Sequence, residues 1–235
     1  MKNVKLFAVD IDGTITINGN GMVNLDAISK LRSLVKLGYQ VVYVTGRSSI
    51  EAFALAVFGG TTQIAIGENG GVISTTPNSH KILADIEKCR SGYDILRKEI
   101  NHVSQKSVFP RMSEVVLDRT FDLDEGNRIL KNKGQDLILV DSNYAFHINE
   151  ININKGFGLD SLMKALHINY DEVVTIGDSI TDVSMFNKTK YSITFESSNK
   201  DVRNKATHIV KGDRGEGLVN AIDCVIEQKC NGEFI

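Results

Sequence analysis

Residues 4–16 read Val4-Lys5-Leu6-Phe7-Ala8-Val9-Asp10-Ile11-Asp12-Gly13-Thr14-Ile15-Thr16. An apolar run of strand character ends here in two carboxylates two positions apart, and a glycine turn follows at once. Residues i and i+2 of an extended segment point the same way, so Asp10 and Asp12 reach one small volume at the strand's carboxyl end. Two like charges that close cannot both stay ionised unless a cation joins them or one keeps its proton. A hard divalent cation such as Mg²⁺ relieves the repulsion through oxygen ligands and leaves room for a phosphate. A partly protonated Asp12 then suits a general acid, and Asp10 is free to act as a nucleophile. Gly13 permits the turn, and Thr14 adds a hydroxyl. Taken alone, the string also fits a plain turn, since Asp and Gly build turns without any chemistry.

Further along, the same layout recurs. Gln40-Val41-Val42-Tyr43-Val44 runs into Thr45-Gly46-Arg47, Lys155 opens a helical pattern in Ile153-Asn154-Lys155-Gly156, and Glu172-Val173-Val174-Thr175-Ile176 leads into Gly177-Asp178-Ser179-Ile180-Thr181-Asp182. Asp10, Asp12, Asp178 and Asp182 would repel a phosphate unless a cation and Lys155 offset them. Positioning and charge neutralisation of this kind are what phosphoryl transfer asks of a protein.

In that order, D-x-D-G-T, T-G-R, K-G and G-D-x-x-x-D, the four segments resemble the haloacid dehalogenase superfamily of Mg²⁺-dependent phosphatases. Gly67-Glu68-Asn69-Gly70-Gly71, followed by a long insert before Lys155, is similar to the Cof-type branch with an α/β cap. Within that branch, length and spacing look most like the archaeal phosphoglycolate phosphatases. The resemblance implies Asp10 as the nucleophile that becomes an aspartyl phosphate, and Asp12 as the acid that protonates the leaving oxygen and then activates water. It also implies phosphate or substrate contacts from Thr45, Gly46 and Lys155, with Mg²⁺ held by Asp10, Asp178 and the Asp12 backbone carbonyl, and Asp182 beside it. Thr181 stands where the family has Asn, so a hydroxyl or water must supply that hydrogen bond. The implied reaction is hydrolysis of a small phosphorylated metabolite, 2-phosphoglycolate foremost. A sugar-phosphate phosphatase or phosphomutase of the same superfamily stays open, as does a phosphoacceptor signalling module.

Arg47 and Arg111 are further candidates for substrate binding, Arg111 because its planar fork suits a carboxylate; a solvated loop arginine explains Arg47 as simply, and a surface ion pair is the first reading of Arg111. His147 alternates with apolar residues and reads first as a strand histidine satisfied locally. Glu68 and Asn69 fit a turn, and the resemblance adds a contact to cap or substrate.

The alternation of strand and helix patterns gives the expected fold class: α/β, a Rossmann-like parallel-sheet core with an inserted smaller α/β cap. Residues 1–80 and 153–235 are expected to form the core and 81–152 the cap. Helices are expected after Asn24, near Ser48, near Tyr93 to His102, near Asp124 to Lys133 and from Lys155 to Leu166. A hairpin is expected around Pro77-Asn78-Ser79. With 42% hydrophobic and 24% charged residues and a net charge of −2, the 235-residue chain has the composition of a globular protein without a basic field for nucleic acid. No apolar run approaches the roughly 18–20 residues needed to span a bilayer. The expected partner is a small metabolite rather than nucleic acid or membrane, and the expected setting is cytoplasmic, as monomer or homodimer. Cys89, Cys224 and Cys230, without a C-x-x-C pair, read as reduced and structural.

Overall fold

The computed structural model describes residues 3–17 and 21–227. In chain order the elements are β1 (Leu6–Val9), α1 (Leu25–Lys36), β2 (Gln40–Val44), α2 (Ser49–Gly59), β3 (Ala65–Gly67), β4 (Val72–Thr76) and β5 (Ser79–Ile82). Next come α3 (Ile86–Glu99), β6 (Val115–Leu117), α4 (Leu123–Asn132), β7 (Leu137–Asp141) and β8 (Phe146–Glu150). The chain continues through α5 (Lys155–Leu166), β9 (Val173–Ile176), α6 (Val183–Phe186), β10 (Tyr191–Phe195), α7 (Lys200–Arg203), β11 (His208–Val210) and α8 (Arg214–Ile226).

Eight strands form one sheet in the order β11-β10-β9-β1-β2-β3-β4-β5. From β11 to β3 every pairing is parallel, and β4 and β5 extend the edge as the expected antiparallel hairpin. The alternation of β1 explains why both faces are covered. Phe7 and Val9 pack on one side with residues of α1, α2 and α8, such as Leu31, Phe53 and Leu218. Leu6 and Ala8 pack on the other with Leu159 and Met163 of α5 and Phe186 of α6. A strand buried on both faces reads as a continuous apolar run rather than an alternating one.

A separate three-stranded antiparallel sheet, β6-β8-β7, carries a third core of its own. Val115, Leu117, Leu137, Leu139, Phe146 and Ile148 meet Cys89 and Leu96 of α3 and Leu130 of α4. The opposite face of β8 presents His147 and Asn149, both buried. One face is therefore a core and the other is a polar surface closed off from water.

Local sequence chemistry sets most boundaries. Asn24 caps α1 by accepting from the Ala27 amide at 3.0 Å, and Ser48 and Glu51 form a capping box on α2, both as their residue types favour. Helix α3 begins about seven residues before the expected Tyr93: Asp85 caps it, and its buried positions, Cys89, Gly92 and Leu96, include only one large apolar residue, so the helical period is faint. The short α7 was not expected. Cys89 is a free, buried thiol, whereas Cys224 is disulfide-bonded, which corrects the expectation of three reduced cysteines; Cys230 lies outside the described residues.

Close packing of α5 on α6 depends on Gly156. A Cβ there would lie 2.1 Å from the Ser184 carbonyl oxygen. Alanine would gain about 1 kcal/mol in helix propensity, but overpacking typically costs about 1–3 kcal/mol. Gly156→Ala should therefore lower the urea midpoint, and a raised midpoint would show that α5 and α6 separate without cost.

Candidate active site

The centre of the sheet delivers the chemistry. Val9 lies opposite Tyr43 of β2 and Ile176 of β9, so the segments after β1, β2 and β9 leave the sheet along one edge. This is the crevice at the carboxyl ends of strands where open α/β sheets bind ligands. Asp10 is fixed there by its amide, which donates to the Ile176 carbonyl at 2.9 Å.

Lys155, the first residue of α5, reaches into this edge from the other side. Its Nζ donates to Asp10 Oδ1 at 2.7 Å and to Asp182 Oδ1 at 2.6 Å. The other Asp182 oxygen, Oδ2, accepts from the amides of Asp178 at 3.0 Å and Ser179 at 2.9 Å and from the Ser179 hydroxyl at 2.9 Å. Asp182 thus folds the loop after β9 and anchors the lysine at once. Thr14 donates to Asp178 Oδ1 at 3.1 Å, joining the first loop to the last. Gly13 has a φ of 86°, and a Cβ there would sit 2.3 Å from Asp178 Oδ2, so glycine is required by conformation and by space.

Asp10, Asp178 and Asp182 bring one carboxylate oxygen each within 4.8 Å of one another. Three carboxylates face one ammonium. Burial, then the Asp182 charge, pushes the Asp10 carboxyl well above the ordinary range, with Lys155 opposing. Asp178 rises for the same first two reasons to about 7. Burial alone would favour a neutral Lys155, but Asp10 and Asp182 overcome it and hold the ammonium more firmly charged. An all-oxygen donor set with surplus negative charge fits a hard divalent cation.

The other expected residues divide. The Asp12 carboxylate is not part of the cluster and accepts a two-pronged bond from Arg47, Nε at 2.7 Å and Nη2 at 2.7 Å. Arg47 also meets Glu51 at 3.1 Å, so its guanidinium is engaged on carboxylates of the protein. Thr45 is buried at the end of β2 and its hydroxyl accepts from the Arg47 amide at 3.1 Å. Thr181, in place of an amide side chain, bonds hydroxyl to hydroxyl with Ser179 at 2.8 Å.

Arg111 lies at the meeting of the two sheets. Its Nη1 donates to the Gly46 carbonyl at 2.7 Å and to Glu114 Oε1 at 2.6 Å. Five more bonds tie the same loop to the large-sheet unit. Glu68 Oε2 accepts from the amides of Met112 and Ser113, each at 2.8 Å, and from the Ser113 hydroxyl at 2.9 Å. Ser48 donates to the Pro110 carbonyl at 2.9 Å. Asn69 donates to Glu114 at 3.0 Å. Burial, then the nearby Glu114 charge, raises the Glu68 carboxyl against these bonds. Glu114 and Asn149 escaped the sequence reading. A usable signal was the placement of His147 and Asn149 on one face of β8, two polar side chains that require a buried partner.

A family profile described as haloacid dehalogenase-like hydrolase matches residues 7–106 and 94–222. The phosphoglycolate phosphatase of Nitrosopumilus maritimus is 48% identical over 219 residues, 93% of this chain and 95% of its own. That of Archaeoglobus fulgidus is 33% identical over 219 residues, with the same shares covered. Among solved structures, Thermoplasma acidophilum 0175 superposes with a TM-score of 0.83 at 23% identity, covering 95% of this chain and 98% of that one. A haloacid dehalogenase-like hydrolase from Bacteroides thetaiotaomicron follows with a TM-score of 0.78 at 18% identity, over 94% and 99%.

The raised Asp178 carboxyl has a stability consequence of fixed sign. Between its unfolded value of 3.8 and its folded value of about 7, the folded state holds more protons, so metal-free stability falls as pH rises through that window and stays low above it. In EDTA, Asp178→Asn should therefore melt above the wild type at pH 8, by roughly 2–4 °C for each kcal/mol relieved, with the gap closing towards pH 4. Equal melting temperatures at both pH values would place the charge excess elsewhere.

Proposed function

Because the chain belongs to the haloacid dehalogenase-like hydrolase family and is a phosphatase enzyme, we propose that it hydrolyses 2-phosphoglycolate to glycolate and phosphate through an aspartyl phosphate on Asp10. The observation that carries this reading is the cluster of Asp10, Asp178 and Asp182 at the carboxyl edge of the sheet, with Lys155 paired to Asp10 and Asp182. The substrate follows the names of relatives at 48% and 33% identity.

Asp10 attacks phosphorus as the bond to the glycolate oxygen breaks, and Asp12 gives that oxygen its proton. Asp12 then takes a proton from water, whose oxygen attacks phosphorus, releasing phosphate and restoring the Asp10 carboxylate. To serve in both steps Asp12 must leave the Arg47 fork it occupies here. Lys155 has spent two of its three donors on Asp10 and Asp182, which leaves one for a phosphoryl oxygen. Thr45 and the Gly46 turn line the same edge. Asp10, Asp178 and the Asp12 backbone carbonyl would hold Mg²⁺, with Asp182 beside it, and the bound ion supplies the positive charge that the acidic cluster lacks.

Residues 81–152 act in this reading as a cap. Its loop 110–114 sits on the Gly46 and Glu68 turns, so the leaving group meets cap side chains while the phosphoryl group meets the core. In this reading Arg111 is the cation that answers the glycolate carboxylate.

Phosphate release from a panel of phosphorylated metabolites tests the substrate, and 2-phosphoglycolate should have the highest kcat/KM; a sugar phosphate in that place would reassign it. EDTA should abolish turnover and Mg²⁺ restore it, since a phosphate dianion otherwise meets surplus negative charge. Asp10→Asn should retain less than about a hundredth of kcat, a loss above roughly 2.7 kcal/mol. Turnover above that level would exclude Asp10 as the nucleophile.

A further inference from the structure

Glu114 is a fully buried carboxylate outside the catalytic cluster. Its side chain has no exposed surface, and its two oxygens collect four partners. Oε1 accepts from Arg111 Nη1 at 2.6 Å and pairs with His147 Nδ1 at 3.1 Å. Oε2 accepts from Asn69 Nδ2 at 3.0 Å and Asn149 Nδ2 at 3.2 Å. These partners come from its own loop, from β8 and from the turn after β3, so the carboxylate fixes the loop against both sheets. Although burial opposes ionisation, His147, Arg111 and Asn69 hold the Glu114 carboxyl down at about 2.

Arg111 is nine-tenths buried beside it. Its hydrogen bonds to the described residues use Nη1 alone, and its Nε is buried without a partner. A buried donor left unpaired is costly, and natural sites rarely keep one without a use. Nη2 on the same edge is neither paired among the described residues nor enclosed, and its charged N–H groups suit a carboxylate oxygen.

We propose that Glu114 is the positioning residue for leaving-group recognition: by clamping Nη1 of Arg111 at the Gly46 carbonyl, it reserves Nη2 on the other edge of the guanidinium, which is neither paired among the described residues nor enclosed, for the carboxylate of the substrate. This rests on the reading of Arg111 as the carboxylate-binding group and adds what makes that group selective. An arginine free to rotate loses side-chain entropy on binding, whereas one held by a buried ion pair has lost it on folding. Glu114 also neutralises the charge it positions, and the two effects have opposite signs. If clamping dominates, removing the charge weakens substrate binding. If competition dominates, removing it strengthens binding.

Glu114→Gln keeps shape and removes the charge. The readout is the ratio of kcat/KM for 2-phosphoglycolate to that for ethyl phosphate, an ester of similar size without the carboxylate. The ratio should fall about tenfold through KM for 2-phosphoglycolate, and the same substitution placed on Arg111→Ala should change it less than twofold. A ratio that rises, or a drop in both substrates together with a lower melting temperature, would overturn the proposal. Arg111→Lys covers the case in which Glu114→Gln does not fold. A lysine still pairs with Glu114 but offers no second edge, so the ratio should fall as well, and a wild-type ratio with lysine would overturn the proposal. If the wild-type enzyme shows no preference for the carboxylated ester, the substrate reading fails and the proposal falls with it; if the preference exists and survives Glu114→Gln, the proposal alone fails.

Discussion

A single buried ammonium holds the working edge of this protein together. Lys155 is enclosed with Asp10 and Asp182, and those three side chains come from α5, the end of β1 and the loop after β9. A cation at the first position of a helix opposes the helix dipole by about 0.3–1 kcal/mol. Breaking a buried pair by removing one partner costs about 3–5 kcal/mol, so the two carboxylates decide where the lysine sits. Asn154 makes that position possible by capping α5, its side chain accepting from the Phe157 amide at 3.0 Å. The same arrangement leaves the cluster one cation short, and from that shortage follow the raised carboxyls of Asp10 and Asp178 and the fit to a hard metal ion.

A second constraint lies where the two sheets meet. Glu68 and Asn69 occupy consecutive left-handed positions, with φ of 55° and 53°, which for residues with side chains costs on the order of 1–3 kcal/mol each. Such strain persists only where surroundings over-determine it. Here they do: Glu68 accepts three bonds from Met112 and Ser113, and Asn69 donates through its backbone to Thr45 and through its side chain to Glu114. The strained turn therefore links the carboxyl end of β2 to the loop that carries Arg111.

The parts of this architecture that sequence revealed share a physical property: they are local. Two carboxylates at i and i+2 after an apolar run announce a strand end, and Asn24 and Ser48 announce helix starts, because caps and strand periodicity act within a few residues. Lys155 was legible through the order of four such segments. What stayed hidden depends on partners far along the chain. Nothing near Asp12 says that its carboxylate turns to Arg47, 35 residues on, and nothing near Glu114 says that it meets Asn69, His147 and Asn149. Arg111 was legible as a cation and not as a buried one. Helix α3 was half-hidden because Gly92 and Cys89 bury as little surface as a core helix can, which blurs its period.

In the metal-free protein, burial and the neighbouring carboxylates raise the Asp10 and Asp178 carboxyls, so that they keep protons which a bound cation displaces. Calorimetric titration of Mg²⁺ into the metal-free protein at about pH 6.5, in two buffers of different ionisation enthalpy, counts the protons exchanged on binding. About one proton per ion should be released, displaced from the Asp10 and Asp178 carboxyls; binding with no release, or with uptake, would show that these carboxyls are already ionised without the metal.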